Sequence, residues 1–132
     1  MKIIHVAGKR KRAVAKATLK PGTGKVKINN IMLDNYSPRL ARMKIREPIQ
    51  LAGAIPSKMD ISVRINGGGY MAQAEAARLA IARALVESQK GDALKDEFLK
   101  YDSHLLIADV RRKEMCKPND SKARAKRQKS YR

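Results

Sequence analysis

Across residues 61–86 the period of the apolar positions changes once, and the rest of the chain is organised around that change. Ile61, Val63 and Ile65 alternate with Ser62, Arg64 and Asn66, the two-residue repeat of a strand with one buried face. Gly67, Gly68 and Gly69 end the alternation and supply backbone freedom that side chains deny. Beyond them Ala74, Ala77, Ile81, Ala84 and Leu85 recur at helical spacing among good helix formers. That face is mostly alanine, so the helix axis can lie close to whatever sheet it covers. The pattern predicts a strand, a glycine hinge and a long helix that serves as the central pillar of the core.

Residues 3–19 hold two alternating runs with a basic cluster between them. Ala13, Ala15, Ala17 and Leu19 share one face while Arg12, Lys16 and Thr18 point away, which predicts a strand over about residues 12–19. The turn PGTG at 21–24 follows, and Val26 and Ile28 alternate with Lys25 and Lys27, so the two runs read as a hairpin with a cationic outer face. Asp34 is placed to cap a short turn through Tyr36. Ser37-Pro38 reads as a helix start, serine at the N-cap and proline at the first helical position. Pro48 reads as the start of another short helix that Gly53 ends. After the long helix, Gly91 and Asp92 read as a C-cap and an N-cap, and Leu94, Phe98 and Tyr101 mark a helix over residues 93–101. Leu105, Leu106 and Ile107 suggest a short buried strand-like return. From Arg111 the apolar pattern stops.

Length and charge sharpen this outline. A chain of 132 residues reads as one domain able to bury about 65% of its unfolded surface. Lysine and arginine number 30 against 12 acids, a formal net charge of +18 that favours a polyanionic partner. The charge is segregated. Residues 1–69 carry 15 bases against Asp34, Glu47 and Asp60; residues 70–110 carry 5 against 7 acids; residues 111–132 carry 10 against Glu114 and Asp120. The division that follows is a globular α/β domain over 1–110 and a basic, extended C-terminal tail over 111–132, too poor in apolar side chains to offset about 1–2 kcal/mol of ordering entropy per residue. No stretch approaches the roughly 18–20 apolar residues of a membrane span, and no apolar run follows the first charges as in a signal peptide, so the expected setting is intracellular. A single cysteine, Cys116, fits a reducing compartment. With only His5 and His104 beside it, no metal-ligand spacing exists.

Few residues suggest catalysis. The three glycines before a helix resemble a phosphate cradle, yet no G-x-G-x-x-G follows, and GTGK at 22–25 lacks the flanking residues of a P-loop. Contact with a structural RNA phosphate, or a plain turn, remains for Gly67–Gly69. Cys116 with His5 or His104 offers no triad spacing, and the expectation is a non-enzymatic protein with no cofactor and no small-molecule substrate. The basic clusters are the stronger signal, since each phosphate they neutralise releases counterions. One phenylalanine and four tyrosines provide no stacking platform for single strands, so backbone and shape recognition of folded RNA fits better than base stacking. A DNA-packaging protein shares the charge, and a nucleotide-using enzyme shares the element order; the first would prefer duplex DNA, the second would bind ATP or GTP stoichiometrically.

Three stretches carry a family resemblance: GKRKRAVAKATLKPGTGKVKIN near the start, INGGGYMAQAEAARLAIARAL in the middle, and the terminal QKSYR. Together they resemble, over nearly the whole length, the universal ninth protein family of the small ribosomal subunit. The QKSYR ending is similar to the archaeal and eukaryotic branch, and the short N-terminus suggests an archaeal member. The resemblance implies a structural constituent of the small ribosomal subunit, cytoplasmic in the ribosome. It further implies a two-layer fold, a small sheet covered by helices in the order three strands, helix, strand, helix, like domain two of ribosomal small-subunit protein five, with a left-handed crossover against the general rule. Expected partners are ribosomal RNA of the subunit head, neighbouring head proteins and, through the tail, the anticodon stem-loop of the peptidyl-site transfer RNA. The ribosomal-RNA residues expected are Lys9, Arg10, Lys11, Arg12, Gly67, Gly68, Gly69, Arg111, Arg112, Lys113, Lys122, Arg124, Lys126 and Arg127. Arg132 is expected to carry the transfer-RNA contact, with Lys129 near it and Ser130 and Tyr131 lining the approach.

Overall fold

The protein is described here by a computed structural model covering residues 3–89, 91–119, 122–126 and 130–131. Strands β1 (Ile4–Arg10), β2 (Ala13–Pro21), β3 (Val26–Ile28) and β4 (Ile31–Met32) precede helix α1 (Arg39–Leu51); strand β5 (Met59–Asn66) leads into α2 (Tyr70–Ser88) and then α3 (Ala93–Tyr101). The strands form one sheet in the order β1-β2-β5-β3-β4. The expected order of three strands, helix, strand and helix is present, with β4 added as a two-residue edge.

The alternation of apolar residues sets the register. Gly8 pairs with Ala15 and Ala15 with Ile65; Ala17 pairs with Val63 and Val63 with Ile28; Leu19 pairs with Ile61 and Ile61 with Val26. All of these lie on the buried face. Helix α2 crosses that face over β1, β2 and β5, and α1 packs beside it. The small side chains permit close approach. A Cβ on Gly8 would lie 2.4 Å from the Ala76 carbonyl oxygen and 2.8 Å from the Ala80 amide nitrogen, so β1 and α2 touch backbone to backbone. Alanines supply contact more than transfer energy. That comes mainly from Phe98, Ile28, Ile45, Ile61, Ile81, Leu85, Leu105 and Val63, all fully buried, at about 1.5–3 kcal/mol for a side chain of this size.

Several local expectations are corrected. The segment after PGTG does not fold back on β2: β5 lies between β2 and β3, antiparallel to the first and parallel to the second. A parallel pair needs a long crossover, and α1 supplies it. The turn at 21–24 is instead held by Asp60, whose carboxylate accepts the backbone N–H groups of Thr23 and Lys25 at 2.9 and 3.0 Å. Asn29 and Asn30 both take positive φ, 47° and 69°, closing β3 onto β4 as a two-residue turn. The Asn29 side chain extends the parallel ladder, accepting from the Ile65 N–H at 2.8 Å and donating to the Ile65 carbonyl at 3.2 Å.

Pro38, joined to Ser37 by a cis peptide, is the N-cap of α1, so serine does not cap it. Pro48 sits inside α1 rather than opening a second helix; Ala41, Ile45 and Pro48 form its buried stripe, and Gly53 follows its end at φ 59°. The short turn Leu33–Asn35 is capped by Met32, and Asp34 within it accepts from Arg46. Helix α2 stops at Ser88, with Gln89 rather than Gly91 as C-cap. Asp92 precedes α3 as expected, but its carboxylate makes no cap bond and faces Lys95 at 3.6 Å. In α3, Leu94 and Phe98 are buried while Tyr101 is exposed. The Leu105 return is a 3-10 turn, Ser103–Leu105, and no strand.

Candidate nucleic-acid interface

Three separate parts of the sequence meet at one end of the sheet. The β1–β2 turn brings Lys11 and Arg12 to the rim; β5 ends there in its glycines; and the chain leaving α3 returns to the same place with Arg111, Arg112 and Lys113. They line an open cleft of about 920 Å³ together with Arg10, Gly68, Gly69, Ala72, Glu114, Met115 and Cys116. The glycines are required by contact as well as by conformation. Gly67 and Gly68 have φ of 72° and 70°, and a Cβ on either would fall within 2.9 Å of the backbone of Arg12 or Ala13. The glycine turn therefore lies flush against the basic turn. Gly69 is the N-cap of α2 and no side chain caps it, so the first N–H groups of the helix stay available beside the cleft. Lys11 holds φ 51°, unusual for a lysine, and so presents its turn at a conformational cost.

The cations differ in how far they are neutralised. Arg10 is 14% exposed, its Nε 2.6 Å from Glu75 of α2 and its terminal nitrogen 3.0 Å from Asp109. Asp109 in turn accepts from the Arg111 guanidinium at 2.7 Å and from the Arg111 N–H at 2.9 Å. These bonds to Arg111, with the charge of Arg10 behind them, hold the Asp109 carboxyl far below the usual carboxylate range. One carboxylate thus pins the root of the tail to β1. Arg111 still projects, 79% exposed. Lys11, Arg12, Arg112 and Lys113 have no ion-pair partner among the described residues.

A second charged cluster fixes the helices that carry the cleft. Arg78 of α2, buried, reaches Glu47 of α1 at 2.5 Å and Asp102, just after α3, at 2.8 Å. Burial disfavours the charges, but the two carboxylates outweigh it and raise the Arg78 pKa. Burial likewise pushes Asp102 up, and the His104 N–H and the Arg78 guanidinium more than reverse it, leaving the carboxyl below its ordinary value. Arg83 bonds the Leu106 and Ala7 carbonyls, tying the segment after α3 to β1.

Of the expected ribosomal-RNA residues, Arg10, Lys11, Arg12, Gly68, Gly69, Arg111, Arg112 and Lys113 line the cleft. Gly67 backs it, and Lys9, exposed on β1, does not line it. Lys122, Arg124 and Lys126 lie beyond it, exposed, in a tail without helix or strand among its described residues. Arg124 pairs with Glu114 at 2.5 Å, which lowers the Glu114 pKa. Ser130 and Tyr131 are exposed. Arg127, Lys129 and Arg132 lie outside the described residues. Sequence reading missed Glu75 and Asp109 as the counter-ions of Arg10, because both are distant in the chain and their alignment with β1 exists only after folding.

The arrangement suits anion binding better than nucleotide chemistry. The GTGK turn is closed over Asp60, which puts a negative charge where a phosphate would have to sit; the Lys25 and Thr23 N–H groups it accepts hold its pKa down. Cys116 faces the basic cleft, and neither His5 nor His104 lines that cleft. No group of three or more metal-ligating side chains occurs among the described residues, and no helix there is long and apolar enough to cross a membrane.

Residues 8–132 match the family described as Ribosomal protein S9/S16. Two archaeal relatives, each named small ribosomal subunit protein uS9, align along all of both chains: those of Methanococcus maripaludis, 46% identical over 134 residues, and Methanothrix thermoacetophila, 46% identical over 132 residues.

Proposed function

Because the chain belongs to the ribosomal protein S9/S16 family, we propose that its basic cleft holds ribosomal RNA of the small-subunit head and that its tail extends through RNA to the peptidyl-site transfer RNA. The protein is a structural constituent of the small ribosomal subunit and not an enzyme; its place is the ribosome, in the cytoplasm. The observation that carries the RNA reading is the convergence of Lys11, Arg12, Arg112 and Lys113 with the α2 N-terminus and the glycine turn. Cations favour a phosphate through counterion release, and unpaired helix N–H groups favour it through hydrogen bonding and the helix dipole. Lys9 extends this surface, and the Arg10–Asp109–Arg111 chain fixes the direction in which the tail departs.

The tail acts by position. Lys122, Arg124, Lys126 and Arg127 neutralise phosphate along its path, and Arg132 meets a transfer-RNA phosphate in planar, two-pronged geometry, with Lys129, Ser130 and Tyr131 lining the approach. Neighbouring head proteins complete the setting. Deleting residues 130–132 leaves incorporation into small subunits intact and weakens peptidyl-site transfer-RNA binding about a hundredfold, the effect of two charge-assisted hydrogen bonds of about 1.5 kcal/mol each. The measurement is transfer-RNA affinity on isolated small subunits carrying the truncated chain. Unchanged affinity removes the tip from the function.

A further inference from the structure

Helices cover one face of the sheet, and among the described residues no element covers the other. Its outward positions are set by register: His5 lies opposite Thr18, Thr18 opposite Ser62, and Ser62 opposite Lys27; Ala7 lies opposite Lys16, and Lys16 opposite Arg64; Lys9 lies opposite Val14, and Val14 opposite Asn66. His5, Lys9, Lys16, Lys20, Lys27 and Arg64 are all exposed there. The acid on these strands is Asp60, at the end of the sheet, and its carboxylate already accepts the Thr23 and Lys25 N–H groups.

Two features distinguish this face from an ordinary solvated one. Soluble surfaces intersperse both signs, whereas the centre of this face carries one. Lys16 and Arg64 also stand directly opposite each other on adjacent strands, a placement that destabilises the free protein. It arises only because β5 is inserted beside β2, bringing Arg64 in from a distant part of the chain. Between the cations the outward residues are small or short, Ala7, Thr18 and Ser62, so a phosphate backbone can lie close to the strands.

We infer that this open sheet face is a second RNA-docking surface, on which Lys16 and Arg64 share a phosphate and Lys9, Lys20 and Lys27 follow the backbone on either side. Lys9 joins it to the cleft at the β1–β2 turn. The inference rests on the ribosomal-RNA reading above and adds to it a surface that neither the cleft nor the tail supplies. Charge complementarity selects RNA over a protein neighbour, because the centre of the face presents one sign, with Asp60 opposite Lys20 only at its end, and has no apolar centre to anchor a protein.

The test is the affinity of the full-length chain for small-subunit ribosomal RNA as a function of salt, in three versions: unaltered, Lys16→Gln with Arg64→Gln on the face, and Lys122→Ala with Arg124→Ala in the tail. Losing the one phosphate that Lys16 and Arg64 share reduces the log–log salt slope by about 0.7–0.9. The face variant is expected to show that reduction, additively with the tail variant, and Ser62→Glu, which sets a negative charge beside both cations, to weaken binding as well. A face variant with an unchanged slope, beside a tail variant whose slope falls, overturns the inference and leaves the tail reading standing. Reduced incorporation into subunits with unaltered RNA affinity also overturns it, by assigning the face to a protein neighbour. An unaltered chain that shows no salt-dependent RNA binding defeats the underlying function, and the inference with it.

Discussion

Arg78 and Arg124 each grip a carboxylate at short range, and the two bonds do opposite work. Arg78 is buried between α1, α2 and the end of α3, where Glu47 and Asp102 cannot be replaced without leaving charge stranded away from water. Arg124 is 85% exposed in the tail, and a phosphate can displace Glu114 from it at little cost. The body therefore uses its buried arginines to fix shape, while the tail keeps its cations exchangeable. Arg10 and Arg111 mark the boundary, sharing Asp109 from the two sides. If this division is right, substitutions at the buried ion pairs and packing contacts of the body change stability and leave salt dependence alone, and substitutions in the tail do the reverse.

The hardest blow to the body is expected at Gly8. Gly8→Leu drives a side chain into the Ala76 carbonyl and the Ala80 N–H, contacts made by backbone that cannot swing away. Separation of β1 from α2 costs more than about 3 kcal/mol, above the usual range for overpacking. Denaturant unfolding measures it. A loss under 1 kcal/mol shows that β1 can shift and that the alanine-lined contact is not what sets the layer spacing.

Next comes Arg78→Ala, which leaves Glu47 and Asp102 facing each other without their cation. Full burial would make this about 3–5 kcal/mol; both carboxylates keep some exposure, so roughly 2–3 is expected. The same cluster makes an acid-side prediction. Asp102 is held below its ordinary value of 3.8 in the folded protein, so it binds protons less readily folded than unfolded. Its contribution is present at pH above the unfolded value and lost as pH falls through the folded one. Stability is then flat from neutral pH to about 5 and declines below about 4, and Asp102→Asn makes that decline shallower. An acid limb unaffected by Asp102→Asn assigns it to Asp60 or Asp109, whose carboxyls are lowered by their own hydrogen bonds.

How far the sequence reveals these regions follows the range of the forces involved. The strand, glycine turn and helix across residues 61–86 were legible because each residue's side is set by its own period. The partner of β3 was not. Three residues cannot choose between β2 and β5, and the choice rests on Asn29 bonding to Ile65, 36 positions away. The two asparagines with positive φ were a signal that could have revealed the β3–β4 turn. Pro48 misled for a related reason: proline is common at a helix start, but burial in the α1 stripe offsets the backbone bond it forfeits within the helix. The basic segment at residues 9–12 was visible as a cluster, but its members are unlike. Arg10 points inward to Glu75 while Lys11 and Arg12 face the cleft, a distinction created by the pleat and by remote acids.

In the tail, replacing Arg111, Arg112, Lys122, Arg124 and Arg127 together with alanine lowers ribosomal-RNA affinity and reduces the salt slope by about 3.5–4.5 if every one meets a phosphate. Unfolding of the free protein moves by less than about 1 kcal/mol, because Arg111, Arg112, Lys122 and Arg124 are exposed and fill no core. Among the described ones Arg111 bears on the body, through Asp109. An unaltered salt slope contradicts the tail's role, and a collapse in stability contradicts the division between body and tail.

The smallest expected effect joins the two regions at Lys11. Its φ of 51° is a conformation that costs an L-residue about 1–2 kcal/mol, part of which glycine recovers after its own larger entropy loss on folding. Lys11→Gly is therefore expected to stabilise the free protein by about 0.5–1 kcal/mol. It also deletes a cation from the cleft rim, so RNA affinity falls and the salt slope drops by about 0.7–0.9. Opposite signs in the two measurements would show that this turn is held in a costly shape for the sake of its charge, a body residue behaving as tail residues do. A gain in stability with unchanged RNA binding leaves Lys11 as turn geometry only and confines the cleft's contact to Arg12, Arg112 and Lys113.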